Sequence, residues 1–207
     1  MNVPRQAGIG LVFAVLIGFW FVRDRSPHAA KPTTGTTIVA FGDSLVEGHG
    51  ATPDGDFVAV LSKRLGQPIV NAGRGGDTTR AALSRLESAV LSRDPKIVIV
   101  LLGGNDFLQR VPPAETFRSL SMIVEHIRLR GAAVVLVGVR VALINDPFEH
   151  QYEALARRTA SGLVPDVLDG IIGHADRMSD SIHPNDRGYS MMADRIEPIV
   201  RDLLESD

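Results

Sequence analysis

Four short stretches of this chain carry residue types that can do chemistry together. Gly42-Asp43-Ser44-Leu45 places a serine directly after an apolar run. A serine at a strand-to-helix turn exposes its hydroxyl, and Gly42 permits the sharp turn. The tetrapeptide also suits a plain helix N-cap. It is not the G-x-S-x-G elbow, because Val46 stands where the second glycine belongs. Residues 71–77 form a glycine-rich turn whose backbone N–H groups can face an anion. It lacks both G-x-G-x-x-G and the P-loop lysine, so it matches a nucleotide cradle poorly and equally suits a turn capped by Asp77. Gly103-Gly104-Asn105-Asp106 offers an amide donor suited to an oxyanion, in a composition that tight turns also favour. Near the C-terminus, Asp180 precedes His183 by three residues. A carboxylate there can accept from one imidazole nitrogen and leave the other free to take a proton. Nucleophile, base, orienting acid and oxyanion donors are the parts of acyl transfer.

The rest of the titratable inventory is plainer. His28, His49, His126, His150 and His174 read as solvated or hydrogen-bonded side chains without a partner pattern. Asp54 and Asp56 flank Gly55 but lack the spacing of a calcium loop. The absence of cysteine excludes disulfides, a thiol nucleophile and Cys-ligated metals. The formal charge of -2, falling to -5 beyond residue 31, argues against a nucleic-acid partner. No metal and no cofactor is expected.

These stretches acquire meaning from the elements that must carry them. Apolar runs at 37–41, 68–71, 96–102 and 133–139, with a weaker one at 164–168, read as strands. Helical spacing marks 56–65, 78–93, 113–130, 148–161 and 185–204, the last expected to bend or restart at Pro198. Strands apolar throughout, alternating with amphipathic helices, predict an α/β fold with a parallel sheet of about five strands covered on both faces. In such sheets ligands bind beyond the carboxyl ends of the strands, which is where all four stretches fall. The length of 207 residues suits one domain able to bury roughly 70% of its unfolded surface.

The N-terminus is different in kind. Residues 6–22 are seventeen without a charge, ten of them Ile, Leu, Val or Phe, with Arg5 before and Arg23 and Arg25 after. As a helix they reach about 25 Å, enough for a short membrane span with snorkelling flanks. We read residues 1–30 as a membrane anchor, with a cleaved signal peptide as the alternative and a buried core helix as the third reading. Residues 31–36 read as a linker and 37–207 as the catalytic domain. Location is then periplasmic or otherwise extracytoplasmic.

Taken together, the motifs resemble the GDSL or SGNH hydrolase family, in particular its bacterial thioesterase I, lysophospholipase and arylesterase branch. The resemblance covers roughly residues 37–204. It implies a flavodoxin-like three-layer α/β/α sandwich, with Ser44 as nucleophile, His183 as base and Asp180 as its orienting acid. The oxyanion donors would be the Ser44 and Gly76 amides and the Asn105 side chain, with Gly73 a weaker match than Gly76. Asp43 and Leu45 beside the nucleophile would help bind substrate. So would the loop at 140–148, through Val141, Leu143, Ile144 and Phe148. In the thioesterase I branch this loop shapes the acyl site and tends to read Pro-x-Asn-Tyr-Gly, which this chain does not. The implied substrate is a small acyl ester or thioester, handled by a monomer without cofactor. O-acetyl ester hydrolysis or acyl transfer on cell-envelope glycans, with the same triad, is the alternative.

Overall fold

The computed structural model describes residues 29–140 and 146–205. Residues 1–28 of the expected anchor and the loop positions Val141, Leu143 and Ile144 lie outside them. Among the described residues no helix is long and apolar enough to cross a membrane.

The strands are β1 (Thr37–Gly42), β2 (Ile69–Gly73), β3 (Pro95–Leu101), β4 (Ala133–Val137) and β5 (Gly162–Val164). All pair in parallel, in the order β2-β1-β3-β4-β5. Parallel strands need crossovers, and here helices supply them: α1 (Ser44–Glu47), α2 (Phe57–Leu65), α3 (Thr79–Ser84), α4 (Leu86–Ala89), α5 (Gly104–Leu108), α6 (Pro113–Leu129), α7 (Glu149–Thr159) and α8 (Asp186–Leu204). Because side chains alternate along a strand, an all-apolar strand feeds two cores. Ile38, Ile97, Ile99 and Val135 pack with Leu61 of α2 and Met192 and Ile196 of α8. Val39, Val98, Val100 and Val134 pack with Leu120 and Ile123 of α6 and Tyr152 of α7. The result is the expected three-layer α/β/α sandwich.

Three boundaries depart from expectation. The helix expected over 78–93 breaks at Arg85, between α3 and α4, and ends in a 3-10 turn at Leu91–Arg93. There the Arg85 side chain runs inward to the carbonyls of Gly42 and Ala72. β5 is earlier and shorter than expected, since Pro165 carries no N–H for the ladder. α8 runs through Pro198 without a restart, because Met192, Ile196, Val200 and Leu203 bury one face on either side of it.

The sheet order reverses between β1 and β3, which opens a crevice at their carboxyl ends. β1 delivers Asp43 and Ser44 there, and β3 delivers Asn105. The opposite edge is crossed by residues 30–36. Ala30 N–H donates to the Ala160 carbonyl (2.7 Å), Thr33 N–H to Gly131 (2.8 Å) and Thr36 N–H to Asp94 (2.9 Å) before the chain enters β1. The expected linker is therefore a strap bonded to the domain.

Candidate active site

Gly42 ends β1 where no side chain fits, because a Cβ would lie 2.2 Å from the Leu101 carbonyl oxygen. The chain then turns sharply. Asp43 caps α1 by accepting from the Leu45 N–H at 3.0 Å. Ser44, half-buried, is the first helical residue.

The partner of Ser44 comes from the loop before α8. Asn185 caps that helix, accepting from Arg187 and Gly188 N–H, and a Met178–Pro184 bridge closes the loop. Inside it Asp180 Oδ1 accepts from the backbone N–H groups of Ile182 and His183, both at 2.8 Å. Its other oxygen, Oδ2, lies 2.8 Å from His183 Nδ1, and His183 Nε2 lies 3.1 Å from Ser44 Oγ. With Nδ1–H donated to the carboxylate, Nε2 is left to accept from the serine hydroxyl. The Ile182 N–H first, and then the His183 ring, hold the Asp180 carboxyl well below the usual carboxylate range, so it stays ionised. Residues separated by 139 positions thus form one hydrogen-bonded line, an arrangement able to move a proton off the serine hydroxyl.

Donors surround the serine. Gly103, at φ +126°, turns the chain out of β3 beneath the Tyr152 hydroxyl. Asn105 Nδ2 then donates to the Asp77 carbonyl (3.1 Å) and to Asp43 Oδ2 (3.3 Å). In the β2 turn, Gly73 N–H donates to Asn71 Oδ1 and Gly75 N–H to Glu47 Oε2. Among the described residues the N–H groups of Ser44 and Gly76 meet no acceptor. That leaves Gly76 rather than Gly73 with a donor to spare. Asp43 is buried beside this cluster, and burial pushes its carboxyl up to about 7.

A pocket of about 180 Å³ opens at Ser44, Asn105 and His183, and its wall includes Asp43, Leu45, Val139 and Leu168. Phe107, Leu108, Ile172 and Ile182, each 42–58% exposed, form its apolar rim. These four were missed in the sequence, although Phe107 and Leu108 follow Asn105 closely and Ile182 adjoins His183. Phe148, expected at the acyl site, is instead core: it is 1% exposed and packs edge-on to Phe117 and Tyr152. Its N–H is tied to Asp146 Oδ1 at 2.7 Å, which turns the ring inward at the start of α7. His49, expected as a solvated or hydrogen-bonded side chain, lies against His183, with ring centroids 4.3 Å apart.

Residues 40–191 match the GDSL-like lipase/acylhydrolase family model. The chain belongs to that family. It is a serine hydrolase of the GDSL/SGNH type. Its relatives include the esterase TesA of Pseudomonas aeruginosa, 31% identical over 81% of this chain and 89% of that protein. Thioesterase 1/protease 1/lysophospholipase L1 of Escherichia coli strain K12 is 28% identical over 83% of this chain and 86% of its own length. The crystal structure of TesA superposes with a TM-score of 0.76, covering 81% of this chain and 99% of that one. The GDSL family thus accounts for the three-layer sandwich and supports ester hydrolysis.

Proposed function

We propose that this chain is a serine esterase that hydrolyses carboxylic ester or thioester bonds, of acyl esters, lysophospholipids or aryl esters, through an acyl-enzyme on Ser44. The observation that carries the reading is the unbroken line from Ser44 Oγ through His183 to Asp180 at the floor of an apolar-rimmed pocket. His183 Nε2 takes the hydroxyl proton as Ser44 Oγ attacks the acyl carbonyl. Asp180 holds the ring in the required tautomer and offsets the imidazolium charge. The Ser44 and Gly76 N–H groups and Asn105 Nδ2 receive the oxyanion, Asn105 by exchanging its longer bond, that to Asp43. His183 returns the proton to the departing alkoxide or thiolate, then deprotonates the water that releases the acid. Leu45, Val139 and Leu168 accommodate the acyl chain, and no metal or cofactor enters any step. The protein acts as a monomer on the extracytoplasmic side, held to the membrane through residues 6–22, or secreted if that segment is a cleaved signal.

The test is hydrolysis of p-nitrophenyl esters from acetate to palmitate, beside acyl-CoA thioesters. Ser44→Ala should lower turnover by about 10⁴-fold or more while leaving the fold intact by circular dichroism. Near-normal turnover in that variant would overturn the assignment. A sharp preference for acetate would favour O-acetyl esters as the substrate class, and a rise toward longer chains would favour lipid esters.

A further inference from the structure

His49 stands in an unusual position for an exposed side chain. It lies between Gly48 at φ +91° and Gly50 at φ +92°. Its N–H donates to the Ser44 carbonyl at 3.0 Å, and its own carbonyl accepts from the Tyr189 hydroxyl at 2.8 Å. A Cβ on Gly50 would fall 2.7 Å from the Pro184 carbonyl oxygen, so this loop presses directly on the loop bearing Asp180 and His183. The backbone is thus fixed on both sides while the imidazole projects over the triad, tilted 54° to the His183 ring. One ligand atom each from His49, Asp180 and His183 lie within 4.8 Å of one another.

We propose that His49, His183 and Asp180 form a binding site for a divalent transition-metal ion of the zinc type, and that its occupancy shuts the hydrolase off. Two imidazoles and one carboxylate are a donor set that zinc takes readily, with a fourth position left for water. Three ligands about 2.1 Å from a tetrahedral ion stand roughly 3.4 Å apart. Rotation of the exposed His49 and Asp180 side chains closes the remaining distance, and an ion reaches the site from solvent without opening the fold. The inhibitory half rests on the proposed role of His183 as base. If the ion takes Nε2, the lone pair that should accept the serine proton is occupied. If it takes Nδ1, the bond to Asp180 is lost and Nε2 carries the ring's proton. Either way Ser44 loses its base. Mg²⁺ prefers an all-oxygen shell and gains little from two imidazoles, so the effect is selective.

Two measurements on the full chain decide it. ZnCl₂ is titrated calorimetrically into Ser44→Ala, and wild-type hydrolysis of p-nitrophenyl acetate is followed at rising ZnCl₂, with MgCl₂ as control and EDTA added at the end. Both are repeated with His49→Phe, which keeps a ring against His183 but removes the ligand. We expect one-site binding and EDTA-reversible inhibition. Each should shift to roughly tenfold or more higher zinc in the His49→Phe background, as loss of even an outer-shell partner costs about 10–100-fold. Absence of saturable binding, or equal binding and inhibition with and without His49, would overturn the site. Zinc bound through His49 with undiminished hydrolysis would uphold the site and overturn the inhibition, together with the role of His183 as base. Calorimetry reads the site itself, independently of turnover.

Discussion

Beside Ser44, a single buried carboxyl sets stability against function. Asp43 is 2% exposed, and its carboxyl is pushed up to about 7, chiefly by burial and against the pull of the Leu45 N–H. In the unfolded chain the same group titrates near an ordinary ~3.9. Below that value both states hold the proton and the group is neutral to stability. Between about pH 4 and pH 7 the unfolded chain has released its proton while the folded chain keeps it. Stability therefore falls as pH rises through this window, by an amount on the order of a few kcal/mol. Asp43→Asn removes the titration. Urea unfolding should show the variant gaining on wild type by that amount between pH 4.5 and pH 8. Parallel pH profiles would refute the account. The same variant should lose turnover at pH 8, because Asn can offer only one oxygen where Asp43 accepts from both Leu45 N–H and Asn105 Nδ2. A group that costs stability and, on the proposed mechanism, orients an oxyanion donor is a familiar trade at an active site.

The elements that present the site are joined by Arg85, at the break between α3 and α4. Its guanidinium donates to Asp77 Oδ2 (2.6 Å), the Ala72 carbonyl (3.0 Å) and the Gly42 carbonyl (2.9 Å), and lies 4.6 Å over the Phe41 ring. It thus ties the carboxyl ends of β1 and β2 to the turn holding Gly76. The side chain is 15% exposed and Asp77 only 4%, so among the described residues removing the cation leaves a buried carboxylate with the more exposed Arg74 as its remaining ion-pair partner. Breaking such a pair costs about 3–5 kcal/mol, and Arg74 keeps the expected loss near the lower figure. Arg85→Met should lower the unfolding free energy by about 3 kcal/mol. Arg130→Met, which breaks an exposed pair with Glu87, should cost about 1 kcal/mol or less. Equal losses would show that Arg85 is no more than a surface cation. Turnover should fall only in Arg85→Met, since only Arg85 holds the residue two places before Ser44.

At the scale of the whole molecule, the sheet and the site differ in how far the sequence disclosed them. Four of the five strands and the parallel pairing were legible, because runs such as 96–102 are apolar on both faces and only a covered parallel sheet needs that; the fifth strand was expected at 164–168 and lies at Gly162–Val164. Three of the four motif stretches were legible because a strand-end position follows from where each run stops; the fourth, Asp180 to His183, was legible from its own three-residue spacing in the loop before the last helix. What was hidden depends on contacts between distant segments. Nothing near His49 indicates that its ring meets one 134 positions away. Phe148 looks like any loop aromatic until Phe117 and Tyr152 enclose it. The threonine-rich stretch at 31–36 has the composition of a linker, yet its hydroxyls and amides find carbonyls at two separate turns, and Ala30 just before it reaches a third. That last point separates the two edges of the sheet. Besides the backbone bonds of Ala30, Thr33 and Thr36, Thr34 Oγ1 donates to the Arg130 carbonyl at 2.6 Å and Arg128 donates to the Ala30 carbonyl at 3.2 Å. Each net bond is worth about 1 kcal/mol, less the entropy of ordering a short segment at about 1 kcal/mol or more per residue. The strap therefore contributes modestly, on the order of 1–2 kcal/mol, and does so at the amino ends of the strands, across the sheet from Ser44. A chain beginning at Thr37 should unfold at lower urea than one beginning at Pro27, while its kcat and KM on p-nitrophenyl esters stay within about twofold. A large loss of turnover in the folded, shortened protein would mean that the strap reaches the carboxyl edge through the sheet. An unchanged unfolding midpoint would mean that residues 30–36 only rest on the domain.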